Sequence, residues 1–279
     1  MKKVLITGYG VVGHNMLEML KGGDEEIEFY IKDPLYHTGF YKKFNGEEMD
    51  FEFICVPTPM REDGSADTSI VEQVLRESTA RTIVIKSTVP VGTCRRLLRE
   101  TGVKFIFSPE WFGGTIHSKI PQKFIVISDH MFGRSLGSQR LTELFKPIVT
   151  PEWRYHFVEY EEAEMSKYME NSFLALKVTF VNEMFRICEH FGLNYDIVRE
   201  IFISDSRISP YHTYVNREHP YYKSVCFDKD IPALIHSADG RAKLLESMVE
   251  INRGYMMDSH KPLGVGSKKI LDKYGVKLE

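Results

Sequence analysis

One segment of the 279-residue chain sets a nucleophile among charges: Tyr221-Tyr222-Lys223-Ser224-Val225-Cys226-Phe227-Asp228-Lys229-Asp230. It is short, polar and without helix or strand periodicity, which predicts a loop. Loops held by a rigid scaffold are where chemistry is commonly placed. Lys223 and Lys229 flank Cys226, and nearby cations lower a thiol pKa and populate the nucleophilic thiolate. The alternative is an inert thiol packed beside Phe227, the commoner fate of a lone cysteine. A second pair, Lys167 and Asn171, has the spacing that puts two side chains one turn apart on a helix face. Together an ammonium and an amide offer donors to an oxyanion; the alternative is a solvated polar stripe.

A third constellation binds rather than reacts. Gly8-Tyr9-Gly10-Val11-Val12-Gly13 follows a short apolar run and precedes an amphipathic one, so it reads as strand, glycine loop, helix. The first glycine permits a tight turn, the second lets backbone approach a pyrophosphate, and the third lets helix pack on strand. The new helix turns its N-terminal N–H groups, including those of Val11 and Val12, toward the phosphates. Asp33 ends a second apolar run 20 residues after Gly13, where an acid accepts from a ribose 2′-hydroxyl. A carboxylate there repels a 2′-phosphate, which favours NAD over NADP; the alternative is an ordinary turn acid.

The elements that must position these residues follow from pattern. Strands are predicted at Lys3–Thr7, Ile27–Lys32, Phe51–Val56, Thr82–Lys86, Lys104–Phe107 and Phe124–Ser128, with helices at His14–Lys21, Thr68–Glu77, Thr93–Glu100 and Leu136–Phe145. Alternating strands and helices define an α/β class, a Rossmann-like doubly wound and mostly parallel sheet. Three proline-bearing motifs lie at strand C-terminal ends, the edge where such sheets bind ligands: Val56-Pro57-Thr58-Pro59, Lys86-Ser87-Thr88-Val89-Pro90-Val91-Gly92-Thr93 and Ser108-Pro109-Glu110-Trp111-Phe112-Gly113-Gly114. Past residue 158 the pattern turns helical. One long helix is predicted at 161–191, dense in apolar residues on several sides, with further helices at Tyr195–Ile203 and Ile231–Asp258. The expected organisation is a dinucleotide domain at 1–157 and an all-helical domain at 158–279 with a short tail, dimerising through the long helix.

Composition narrows the classes. A net charge of −3 and 43% hydrophobic residues fit a globular protein with no bias toward nucleic acid or an anionic membrane. The four cysteines are widely spaced and predict neither a disulfide framework nor a zinc site. A cytoplasmic setting is the expectation.

The order of motifs resembles the UDP-glucose/GDP-mannose dehydrogenase family from residue 1 to about 255. The matching pieces are Gly8–Gly13, Phe53-Ile54-Cys55-Val56-Pro57-Thr58-Pro59, Ser87–Thr93, Ser108-Pro109-Glu110, Lys167 with Asn171, Asp205-Ser206-Arg207-Ile208 and Cys226–Asp230. The resemblance implies two NAD-dependent oxidations of a sugar C6 alcohol, to the acid. It implies that Cys226 adds to the aldehyde and forms a thioester. Lys167 and Asn171 would stabilise oxyanions, Glu110 would be general base for hydrolysis, and Asp230 and Thr88 would act through a water. NAD would be held by Gly8, Gly10, Val11, Val12, Gly13 and Asp33, with Pro57, Thr58, Ser87 and Thr88 on the nicotinamide side. A nucleotide sugar or smaller sugar would meet Glu110, Trp111, Phe112, Lys167, Asn171 and Arg207, the last often across a dimer interface.

The chain departs from the family at Lys223 and Ser224, where it has a glycine pair, and at Gly114, where it has a second glutamate. Only 17 residues separate Asp33 from Phe51, a short crossover. The family's third domain, which grips the nucleotide, would follow the point where this chain stops. Two other functions fit the same residues: a single-step β-hydroxyacid-type dehydrogenase, which gives Cys226 no task, and an inactive nucleotide-binding relic.

Overall fold

The computed structural model describes residues 1–23, 26–37, 39–111 and 122–258, so the anticipated Phe112, Gly113, Gly114 and the tail from Lys261 lie outside the described residues. One compact unit is drawn from Met1–Met169 with Pro232–Ser237, and a second from Glu170–Ile231 with the described residues from Ala238 on.

The first unit is built on β1 (Lys2–Thr7), β2 (Ile27–Lys32), β3 (Lys42–Lys43), β4 (Phe51–Ile54), β5 (Thr82–Ile85), β6 (Ile106–Phe107), β7 (Phe124–Ser128) and β8 (Arg154–Val158). They form one sheet in the order β3-β2-β1-β4-β5-β6-β7-β8. Pairing is parallel from β3 through β6, antiparallel between β6 and β7, and parallel between β7 and β8. The connecting helices are α1 (Val11–Lys21), α2 (Ser69–Glu77), α3 (Thr93–Thr101) and α4 (Leu136–Phe145). Successive strand residues face opposite sides of a sheet, and here each side is covered. Phe53, Val84 and Ile106 join one core with Leu17 and Phe145, whereas their neighbours Ile54, Ile85 and Phe107 join another with Leu75 and Leu97. Two buried faces account for the near-continuous apolar runs of the central strands.

Two strands carry too little pattern to be anticipated. β3 is a pair of exposed lysines. β8 lies at the other edge and leaves Arg154, His156 and Phe157 exposed.

The second part of the chain is helical: α5 (Tyr160–His190), α6 (Tyr195–Phe202), α7 (Phe227–Ser237) and α8 (Lys243–Asp258). α5 starts in the first unit and continues into the second. One of its faces is buried, through Ala163, Tyr168, Ala175, Val181, Phe185 and Cys188. The expectation of burial on several sides is not met within one chain, since Met165, Met169, Phe173, Phe180 and Ile187 are exposed.

The single helix anticipated at Ile231–Asp258 is two. Between α7 and α8 stand Asp239 and Gly240, both with positive φ (48° and 74°), and a right-handed helix cannot run through two such residues. Among the described residues no helix is long and apolar enough to cross a membrane.

Candidate active site

At the cofactor end of the first unit, the glycines meet the conditions a pyrophosphate imposes. Gly8 has φ 89°, and a Cβ there would fall 2.7 Å from the Cys55 carbonyl oxygen. A Cβ on Gly13 would fall 2.1 Å from the Gly8 carbonyl oxygen, so α1 packs against the loop only because that atom is missing. A Cβ on Gly10 would meet nothing within 4 Å, which leaves room above the loop. The helical ladder begins with the His14 N–H donating to Gly10 O at 2.9 Å. The N–H groups of Val11, Val12 and Gly13 therefore precede it and point out of the helix start. Asp33 is fixed toward this loop: Oδ2 accepts from the Tyr9 N–H and Oδ1 from the Leu35 N–H, both at 2.7 Å. A carboxylate has about four acceptor positions, so capacity remains for a ribose hydroxyl. These residues fit NAD. The sequence reading missed Tyr9 itself, whose ring meets Tyr36 edge-on at 5.3 Å and His14 at 5.7 Å.

The loops after β4 and β5 are clasped together. Ser87 Oγ donates to Val56 O at 2.7 Å and Thr58 Oγ1 donates to Thr88 O at 2.9 Å. Both side chains are buried, so these hydroxyls fix the two loops against each other, with Pro57 exposed between them. The loop ends at Gly92, whose φ of 88° turns the chain into α3. Glu164 of α5 caps that helix: its carboxylate accepts from the Gly92 N–H at 2.6 Å and the Cys94 N–H at 2.7 Å. Burial pushes the Glu164 carboxyl up to about 7 against those two donors.

Glu110 stands just beyond β6, buried, with Oε1 accepting from the Trp111 N–H at 2.8 Å. The Lys86 ammonium lies 3.5 Å from Oε2. The Lys167 ammonium lies 5.1 Å from the centre of the Trp111 ring, within cation–π range. The anticipated Glu110, Trp111 and Lys167 thus share one corner of the first unit. Cys55 is buried there too, and burial raises its thiol far above the range of a nucleophile.

In the second unit, Asn171 Nδ2 donates to Asp230 Oδ2 at 2.7 Å, and both side chains are buried. Lys229 Nζ donates to the other Asp230 oxygen. The predicted loop at 221–230 is corrected: α7 begins at Phe227, so Asp228 and Asp230 occupy its first turn. Local capping explains the start. Ser224 Oγ accepts from the Cys226 N–H, and the Ser224 N–H donates to Asp228, a reciprocal arrangement like a capping box. Cys226 is exposed immediately before the helix, with its carbonyl accepting from the Asp230 N–H at 2.9 Å. A helix N-terminus is a setting that favours thiolate.

Arg207 is exposed and pairs with Asp205. It borders a groove of about 260 Å³ lined also by Phe173, Lys177, Phe180 and Phe202. The residue that shapes this loop, Arg199, escaped the sequence reading. It is buried, donates to Thr213 Oγ1 at 2.9 Å and stacks 3.6 Å from the Tyr214 ring centre. Nothing in its spacing along α6 marks it.

Glycine loop, amide-lined helix start and acidic strand end define a Rossmann-type dinucleotide-binding unit, here followed by an all-helical one. Residues 34–109 match the NAD binding domain of the UDP-glucose/GDP-mannose dehydrogenase family, and residues 161–254 match its central domain. The chain belongs to that family.

A UDP-glucose 6-dehydrogenase of Rhizobium meliloti (strain 1021) is 35% identical over 223 residues, which cover 73% of this chain and 50% of that protein. Another, of Pseudomonas aeruginosa, is 34% identical over 206 residues, 67% of this chain and 44% of that one. The chain spans about half the length of these relatives. Among solved structures, a UDP-glucose dehydrogenase from the archaeon Pyrobaculum islandicum shares the fold with a TM-score of 0.71 at 24% identity, over 91% of this chain and 68% of that one.

Proposed function

We propose that the chain is an NAD-dependent dehydrogenase that oxidises the C6 alcohol of a nucleotide sugar twice, to the acid. The observation that carries this reading is the exposed Cys226 at the start of α7, one turn from an Asp230 carboxylate held by Asn171. NAD, held at the glycine loop by Gly8, Gly10, Gly13 and Asp33, would supply the hydride acceptor for both oxidations, one molecule for each.

The protein's own groups do the rest. Asp230, directly or through a water, takes the alcohol proton as the first hydride leaves. The Cys226 thiolate forms a C–S bond to the resulting aldehyde, and the oxygen that becomes negative is met by donors from Lys167 and Asn171. Loss of the second hydride leaves a thioester on Cys226. Glu110 takes a proton from water as its oxygen attacks that carbonyl, and the C–S bond breaks to return the thiolate. The balance is one alcohol, two NAD+ and one water giving one carboxylate, two NADH and three protons.

The reading is supported by the family's NAD binding and central domains and by relatives named UDP-glucose 6-dehydrogenase. Purified protein with NAD and a panel of UDP- and GDP-sugars should yield two NADH per sugar. No NADH with any of them refutes the proposal. Cys226→Ser should abolish acid formation; unchanged turnover with one NADH per sugar would instead assign a single oxidation.

The exposed Met165, Met169, Phe173, Phe180 and Ile187 lie at helical spacing along α5, and we assign this stripe to a second copy of the chain. Light scattering should give a dimer at micromolar concentration, and Phe180→Glu should give a monomer. A reduced thiol is needed for every turnover, so the reading implies a cytoplasmic setting.

A further inference from the structure

We infer that Lys86 is a positioning residue for the hydrolytic base, holding Glu110 as a buried carboxylate at the edge of the sheet. The inference rests on the reading of Glu110 as that base. Lys86 is the first residue past β5, and its backbone is anchored: its N–H donates to Ile54 O at 2.9 Å. On the other side, the Ser108 N–H donates to Ile85 O at 3.0 Å, so the chain leading to Glu110 runs beside it. The two side chains meet at 3.5 Å with only 7% of each exposed.

Transferring a lone carboxylate into such a place is costly, and the charge persists only with a cation or donors beside it. Among the described residues, the charged and titratable groups at this corner include Lys86 just past β5, Cys55 just past β4 and Lys167 from α5, the last over Trp111. Cys55 is kept neutral by burial. Lys167 faces the Trp111 ring and is assigned to the oxyanion. Lys86, at 3.5 Å, supplies a direct counter-charge, and neither oxidation step asks anything of it.

Lys86→Met separates these roles. Single-turnover experiments with NAD and the nucleotide sugar that the wild type accepts should still release both NADH equivalents. Steady-state turnover at pH 7 should fall about tenfold or more and approach wild type at alkaline pH, because a carboxyl stripped of its cation must be deprotonated at greater cost. Mass spectrometry should find the acyl adduct accumulating on Cys226. A pH profile parallel to wild type, or loss of the NADH-forming steps as well, overturns the inference.

If the wild type forms no NADH with any sugar, the proposed activity fails. The charge pair is then judged alone by a thermal double-mutant cycle of Lys86→Met, Glu110→Gln and the double variant. A double variant more stable than the sum of the singles supports the pair, and simple additivity overturns it.

Discussion

Glu164→Gln tests how burial and capping compete at one carboxyl. Two N–H donors at the start of α3, from Gly92 and Cys94, reach Glu164 at 2.6 and 2.7 Å. Charge-assisted bonds of this kind favour the carboxylate by about 1.5–3 kcal/mol each. Glu164 is nevertheless fully buried, and burial wins, moving the carboxyl from 4.5 to about 7. An acid whose folded value is raised binds its proton more tightly in the folded state. Its contribution to stability is therefore complete below pH 4.5 and lost as pH rises through about 7. The size follows from the shift: about 3 kcal/mol between those limits. Glutamine keeps a carbonyl acceptor for one of the two donors and cannot ionise, so it stands in for the protonated acid. Urea denaturation of both proteins at pH 5 and pH 8 should show the wild type losing ground to the variant by about 3 kcal/mol on going to pH 8, or about 6 °C in Tm. A difference that stays constant with pH, or grows in favour of the wild type, would mean that the two donors and the helix dipole outweigh burial.

Gly13→Ala places a methyl 2.1 Å from the Gly8 carbonyl. It should cost about 3 kcal/mol in thermal stability and abolish NAD binding in titration calorimetry; tight binding by this variant would contradict the packing of α1. Asp33→Asn removes the charge that Tyr9 and Leu35 orient. The preference for NAD+ over NADP+ should shrink at least about tenfold in Kd ratio, whereas an unchanged ratio would deny Asp33 the ribose. Arg199→Met strips donors from Thr213 and Pro210 and should destabilise the second unit by about 2 kcal/mol; no loss in a urea titration would rule out its role as organiser of the 203–214 loop.

The dinucleotide end was legible because its signal is local. Gly8, Gly10 and Gly13 stand between a strand and a helix within six residues, and the backbone demands the first and last of them. The long helix was legible too, to within a residue at each end, because a 31-residue run averages out its irregularities. The start of α7 was misread although its cue was present. Ser224 and Asp228 form a cap, but flanking lysines and aromatics hid the helical period. The break at Asp239-Gly240 had a turn signal that the apolar residues on either side outweighed. Lys86 with Glu110, Glu164 with Gly92, and Arg199 with Thr213 had no such cue. Each is a buried charge whose partner is 24, 72 or 14 residues away, and only the fold brings them together.

The unbroken course of α5 has a consequence for how this protein can change. Lys167 and Asn171 both lie on this one continuous helix. Their angular relation is fixed by counting residues, not by any contact. Deleting one residue between them would rotate Asn171 by about 100° relative to Lys167, while hardly altering helix propensity. Such a deletion would also swing the buried Ala175, Val181, Phe185 and Cys188 out of register, so it should cost stability as well. Of the positions between Lys167 and Asn171, the exposed Met169 should accept varied side chains more readily than the segment accepts any change in its length, whereas the fully buried Tyr168 should not.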